Sequence, residues 1–194
     1  MEDKWPLVEK LVDELYNALV HRVSERKVDR SNVFYIALVG RASVQSRIER
    51  TLVTLLGEYA PRIFMLFFSS TRELPPPFDF QGELRGTTLQ VKVVSGEHAF
   101  NSSVRNRVAR ESAKYSNPVI LTLQGHYFTP VRVGKAMWLS APSSWRAVTG
   151  DAEAYKTFTS VVFRVAKKYR DVVWREMLET PQLYFRVRGC KMAT

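Results

Sequence analysis

The stretch Phe78-Asp79-Phe80-Gln81-Gly82-Glu83-Leu84-Arg85-Gly86-Thr87-Thr88-Leu89-Gln90-Val91-Lys92-Val93-Val94 decides how this chain is read. Arg85-Gly86 sits at its centre as a two-residue turn, with a glycine able to take the positive φ that tight hairpin turns need. A turn there sets Leu84 opposite Thr87, Glu83 opposite Thr88, Gly82 opposite Leu89, Gln81 opposite Gln90, Phe80 opposite Val91 and Asp79 opposite Lys92. Side chains alternate with a period of two. Asp79, Gln81, Glu83, Thr88, Gln90 and Lys92 therefore share one face, and Phe78, Phe80, Leu84, Leu89, Val91 and Val93 share the other. An ordinary half-buried hairpin with a wetted polar face has the same alternation, so the type of the polar groups must carry any further meaning.

On either side of the hairpin the apolar spacing gives a mixed set of elements. Leu7, Val8, Leu11, Val12, Leu15, Leu19 and Val23 recur at three- and four-residue spacing after Pro6, which predicts an amphipathic helix to about Ser24. Residues 22–30 read as a charged connection, and 33–39 as a buried strand or a helical turn, which periodicity alone does not separate. A second helix opens at Ser43, carries Ile48, Leu52, Leu55 and Leu56 on one stripe, and is expected to end between Gly57 and Pro61. A strand is expected over 62–69 and a proline-stiffened loop over 71–77. After the hairpin come a basic helix over 102–115, a strand over 118–123, a strand or hairpin over 127–139, a long helix over 152–179 and a short alternating segment over 183–187. This order predicts an α/β fold with a mixed central β-sheet flanked by helices. No repeat or Ser/Gly-rich linker divides the 194 residues, so one domain is expected.

Composition narrows the class of partner. Lys and Arg number 29 against 19 Asp and Glu, a formal charge of +10, and each cation placed on a phosphate releases condensed counterions. Nucleic acid is the first expectation and an anionic membrane surface the second, set against a merely basic surface. The start, Met1-Glu2-Asp3-Lys4, is unlike a signal or transit peptide, and the apolar runs are too short to span a membrane. The one cysteine, Cys190, closes no internal disulfide and no Cys-based zinc site, which points to a reducing, cytoplasmic setting.

Pro77-Phe78-Asp79, ten residues, then Gln90-Val91-Lys92 resembles the core signature of the PD-(D/E)XK nuclease superfamily. There an acid at the start of one strand faces an acid or glutamine, then a lysine, on its hairpin neighbour. The resemblance covers roughly residues 43–139 and implies a restriction-endonuclease-like core. It divides the chain into an N-terminal helical extension (1–42), a catalytic core (43–139) and a C-terminal helix and tail (140–194). It also implies Asp79 as a Mg²⁺ ligand, the Val91 carbonyl as a further ligand, Gln90 offering its amide oxygen, and Lys92 assisting the nucleophile. Hydrolysing a phosphodiester asks for these types: oxygen donors for a divalent cation, and a cation to stabilise charge on the phosphate. Phe78 between proline and acid, and glutamine in place of a carboxylate, depart from the commoner pattern. A second acid would restore the missing charge. Glu49, on the preceding helix where many members place a glutamate, is the candidate, and its ordinary alternative is a solvent-facing acid beside Arg47 and Arg50. Glu83 is the other choice.

Lys92, then Ser95-Gly96, then Asn101 is similar to the run that follows the lysine in several type II restriction endonucleases. Asn101 or Ser102 serves equally as a helix N-cap. The next helix carries Arg105, Arg107, Arg110 and Lys114 against Glu111 alone, a supply of phosphate or base contacts whose plainer reading is a solvated face. Further basic clusters lie at Lys156, Arg164, Lys167, Lys168 and Arg170, and at Arg186, Arg188 and Lys191. No Walker A, G-x-S-x-G or H-E-x-x-H pattern competes, and His21, His98 and His126 are isolated. The expectation is a Mg²⁺-dependent endonuclease of double-stranded DNA, of the type II restriction class and acting as a homodimer, with no membrane partner. The alternatives are a Holliday-junction or repair nuclease, a metal-independent tRNA-splicing-type endonuclease, and a basic nucleic-acid-binding module without turnover.

Overall fold

From Phe80 to Val91 the hairpin forms in the predicted register. Phe80 faces Val91, Gln81 faces Gln90, Gly82 faces Leu89, Glu83 faces Thr88 and Leu84 faces Thr87. Arg85 and Gly86 both take positive φ, 50° and 76°, the twist that lets a two-residue turn join right-twisted strands. In this computed structural model, which describes residues 3–25 and 44–183, the chain is mixed α/β. Its elements are α1 (Trp5–Glu25), α2 (Val44–Met65), β1 (Ser69–Glu73), β2 (Phe80–Leu84), β3 (Thr87–Val94), α3 (Ser102–Glu111), β4 (Pro118–Thr122), β5 (Val131–Val133), β6 (Ala136–Trp138), α4 (Ala141–Thr149) and α5 (Ala154–Leu183). The segments 33–39 and 184–187, Cys190, and the cluster Arg186, Arg188 and Lys191 lie outside the described residues.

The six strands form one mixed sheet in the order β1-β2-β3-β4-β6-β5. β1, β2 and β3 run antiparallel, β4 pairs parallel with β3, β6 parallel with β4, and β5 closes the far edge antiparallel to β6. One face packs Phe80, Val91, Val93 and Leu121 against α1, α2, α4 and α5 through Val8, Phe64, Trp145 and Phe158. Alternation sends Val94 and Ile120 to the other face, where they meet Val108 of α3 together with Phe100 and Trp138. A four-helix layer therefore covers one side, and the ten-residue α3 covers part of the other. Among the described residues no helix is long and apolar enough to cross a membrane.

Three expectations need correction. α2 does not stop at Gly57–Pro61 but continues to Met65, and the strand expected over 62–69 begins only at Ser69. Pro61 removes a helical hydrogen bond at a cost of about 3 kcal/mol, but Ile63 and Phe64 are 1% and 0% exposed. Burying two such side chains is worth roughly 1.5–3 kcal/mol each, enough to carry the helix through. Phe78 does not join Phe80 and Val91. It precedes β2, turns to the α3 side and packs edge-on against Tyr115, 4.8 Å between ring centres. Finally, α4 lies where no element was read. It is only nine residues long, and its Trp145 is fully buried at the centre of an aromatic cluster with Trp5, Phe64 and Phe158.

α3 is fixed at its far end by the β5–β6 turn. Gly134 sits at φ +61°, where an added Cβ would overlap the Ala109 carbonyl oxygen and stand 2.6 Å from Ser112 Oγ. The neighbouring Lys135 N–H donates to that same Oγ at 2.9 Å. Gly57, inside α2, has open space around its missing Cβ. Opposite outcomes are expected for the same substitution. Gly134→Ala lowers stability by about 1–3 kcal/mol through overlap and strain, while Gly57→Ala raises it by about 0.5–1 kcal/mol. Urea unfolding of the two variants beside the wild type checks both signs.

Candidate active site

Asp79 sits one residue before β2, and its own N–H donates to the Val91 carbonyl at 2.8 Å, which extends the hairpin ladder to this position. Its side chain lies over the polar face. Oδ1 accepts from Lys92 Nζ at 2.9 Å and Oδ2 from the Val93 N–H at 2.5 Å. Side-chain exposure is 22% for Asp79 and 20% for Lys92, so the pair is largely withdrawn from water. Burial pushes the Asp79 carboxyl above the usual aspartate range, against the opposing pull of the Lys92 charge and of the two hydrogen bonds.

The pair opens into a cleft of about 300 Å³ between the polar hairpin face and α3, whose other walls include Pro76, Ser103 and Arg107. Arg107 donates to the Pro76 carbonyl at 3.4 Å and so spans the rim. The cleft thus brings together one carboxylate, a lysine, an arginine and a hydroxyl from two layers, a set that suits an anion held beside a small acidic spot.

Gln90 is on the same face, 6% exposed, and already engaged. Its amide oxygen accepts the Asn117 N–H at 3.0 Å and its Nε2 reaches Gln81 Oε1 at 3.5 Å. Gln81 Oε1 also accepts from Arg72 at 3.1 Å. Gln90 therefore ties the entry of β4 to β3 as part of a polar line across the sheet. The acidic oxygens lining the cleft are those of the Asp79 carboxylate; behind them stand two further hard donors, the Val91 carbonyl, which accepts the Asp79 N–H, and the Gln90 amide oxygen, which accepts the Asn117 N–H. Mg²⁺ takes such donors, commonly one or two carboxylates completed by waters and phosphate oxygens, so the donor chemistry fits that ion. Among the described residues no group of three or more His, Cys, Asp or Glu side chains could hold a metal, so substrate oxygens would have to complete the shell.

The other expected residues are dispersed. Glu49 is exposed near the start of α2, on the layer that packs against Phe80 and Val91, and is not among the residues of the Asp79 cleft. Glu83 is exposed beside the turn, four residues from Asp79 and so about 13 Å along the strand. Ser95 follows the parity of Val91 and Val93. It lines a separate cavity of about 510 Å³ with Val53 and Leu56 of α2 and Tyr155 of α5. Asn101 is the N-cap of α3, its Oδ1 accepting the Val104 N–H at 3.0 Å. Lys114, in a short 3₁₀ turn after α3, pairs with Glu111 at 2.6 Å, and Arg110 is exposed on the last turn of α3. Arg105 lies over aromatic rings away from the cleft. The anchoring of Gln90 on Asn117 and the bracing of Arg105 left no signal in the sequence, since both join residues of different elements.

Compared with known proteins, the chain matches no family model and no curated protein.

A raised carboxyl pKa means the folded chain holds the Asp79 proton more tightly than the unfolded chain does. The ionisation of Asp79 therefore subtracts from stability as pH climbs from the ordinary aspartate value through the raised one. Relative to Asp79→Asn, the wild type should lose unfolding free energy over that window and run parallel above it. Lys92→Met should move the Asp79 carboxyl higher still, as followed by carboxyl ¹³C titration. A downward move would contradict the opposing pull assigned to Lys92, and a wild-type Asp79 carboxyl at or below the ordinary aspartate value would contradict burial as the dominant cause.

Proposed function

We propose that the protein is a Mg²⁺-dependent endonuclease of double-stranded DNA built on a restriction-endonuclease-like core, acting in the cytoplasm as a type II restriction enzyme. The observation that carries this reading is the pairing of Asp79 with Lys92, face to face across the hairpin and open to a cleft bordered by Arg107. The antiparallel β1-β2-β3 run followed by a parallel β4 is consistent with such a core. Cutting both strands of a duplex takes two such sites, hence a homodimer.

In this reading the chain's own groups hold and polarise a phosphodiester while water attacks phosphorus, giving up its proton to solvent, and the P–O bond to the leaving oxygen breaks, that oxygen taking a proton from solvent. Arg107, on the cleft rim, receives a non-bridging phosphate oxygen. Lys92, held in place by Asp79 Oδ1, stabilises the charge that grows on the phosphate. Asp79 and the Val91 carbonyl would hold Mg²⁺, which supplies Lewis-acid stabilisation when bound. Gln90 acts from behind by fixing the strand that carries Val91 and Lys92. A basic binding module without turnover is the reading favoured by a different observation, the full engagement of Asp79 and Gln90 by donors of the chain itself.

Supercoiled plasmid with Mg²⁺ separates the two. Asp79→Ala and Lys92→Ala should each reduce cleavage by about a hundredfold or more, with duplex binding largely kept. Undiminished cutting by either variant would reject the assigned site. Salt-sensitive duplex binding by the wild type with no product at any Mg²⁺ concentration would establish the module instead.

A further inference from the structure

Arg105 and Arg107 stand two residues apart on α3, so their side chains leave opposite flanks of the helix, about 200° apart. Arg107 borders the Asp79 cleft. Arg105 goes the other way, toward the β6 side of the sheet, where its guanidinium carbon lies 5.0 Å from the centre of the Trp138 ring and 5.7 Å from that of Phe100. That aromatic floor is itself fixed. Trp138 and Phe100 are 7% and 4% exposed, and Phe128 packs against Trp138 at 4.7 Å between ring centres. The Trp138 indole N–H donates to Thr122 Oγ1 at 3.0 Å, and Thr122 Oγ1 donates to the Leu139 carbonyl at 2.7 Å.

A guanidinium over an aromatic ring spends its face and leaves the N–H groups of its edge available. Arg105 is exposed, and among the described residues no hydrogen bond or ion pair engages its side chain. Most long cations lose rotamer freedom when they bind, and this one is already held in place. Lys114, by contrast, is tied to Glu111, and Arg107 to Pro76. A helix with side chains is about 10–12 Å across, so an acceptor met by Arg105 would lie about three base steps from a phosphate in the Asp79 cleft.

We propose that Arg105 is a duplex-binding contact, a pre-braced guanidinium fork that takes two adjacent acceptors on the bound duplex. This rests on the duplex-DNA reading above. Two parts of DNA present that acceptor pair, the N7/O6 edge of guanine and the non-bridging oxygens of a phosphate. Lysine keeps the charge but cannot make the planar two-point contact, so Arg105→Lys is the decisive change.

The experiment measures binding of wild type and Arg105→Lys to a pool of random-sequence duplexes without Mg²⁺, over a series of salt concentrations, with thermal unfolding as a check that the variant folds. If Arg105 reads guanine, the variant loses roughly tenfold on the duplexes the wild type prefers and little on the rest. Replacing guanine by 7-deazaguanine in a preferred duplex then weakens the wild type but not the variant. If Arg105 clasps a phosphate, Arg105→Lys weakens all duplexes alike, and Arg105→Gln lowers the salt slope by about one. Either result supports the fork, and the pattern names its target. Wild-type affinity and selectivity retained by a folded Arg105→Lys would overturn this inference while leaving the nuclease reading standing. A wild type that binds no duplex at any salt overturns both.

Discussion

A carboxylate withdrawn from water and held by two donors is the constraint from which the rest of this structure follows. Asp79 accepts from a side chain and from a backbone N–H of the same strand, at Lys92 and Val93, and both donors exist only if β2 and β3 pair in one register. A slip of one residue would carry Asp79 to the face occupied by Phe80, Val91 and Phe64, with no partner for its charge. The apolar face and the ion pair thus specify the same register from opposite sides of the sheet. Burial that raises the Asp79 pKa is the same burial that makes misplacing it costly.

The two faces of the sheet are covered unequally, and that inequality makes the cleft. Four helices seal the side of Phe80 and Val91, while the polar side has α3 alone, seated over Val94 and Ile120 at the β4–β6 end. Toward β2 the same face carries Asp79, Gln81, Gln90 and Lys92, polar groups that bond to one another rather than to an apolar helix stripe. What remains between α3 and the hairpin is an opening lined by charge.

How much of this was legible in the sequence depended on the range of the interaction involved. The hairpin could be read from Phe80 to Val91 because alternation and a glycine turn are local, and Asp79 meets Lys92 as that register implies. α2 was cut short at Pro61 because proline is a strong local signal, and only the burial of Ile63 and Phe64 against distant strands overrides it. Phe78 was assigned by strand parity, but it lies before the strand begins, where parity no longer holds. α4 escaped because nine residues show too few turns for periodicity, and its anchor, Trp145, is explained by α1 and α5 rather than by its own segment. Among the site residues, Asp79 and Lys92 were visible and meet, whereas Glu49 and Ser95 needed knowledge of which layer each element joins.

The excess of positive charge also becomes interpretable once the layers are known. On the helical layer, basic side chains are matched across elements: Arg164 with Glu9, Lys168 with Asp13, Arg62 with Glu14 and Arg22 with Glu58. These exposed pairs add little stability each, but they cancel charge where the helices meet. Among the described residues no acidic helix faces α3, and its single acid, Glu111, is occupied by Lys114. Beside the exposed Arg110, its two flanks separate two cations by what holds them, Arg107 by a carbonyl at the cleft and Arg105 by the Trp138 ring. An anion on each flank would meet a different cation, one beside the buried carboxylate and the other braced on the Trp138 ring.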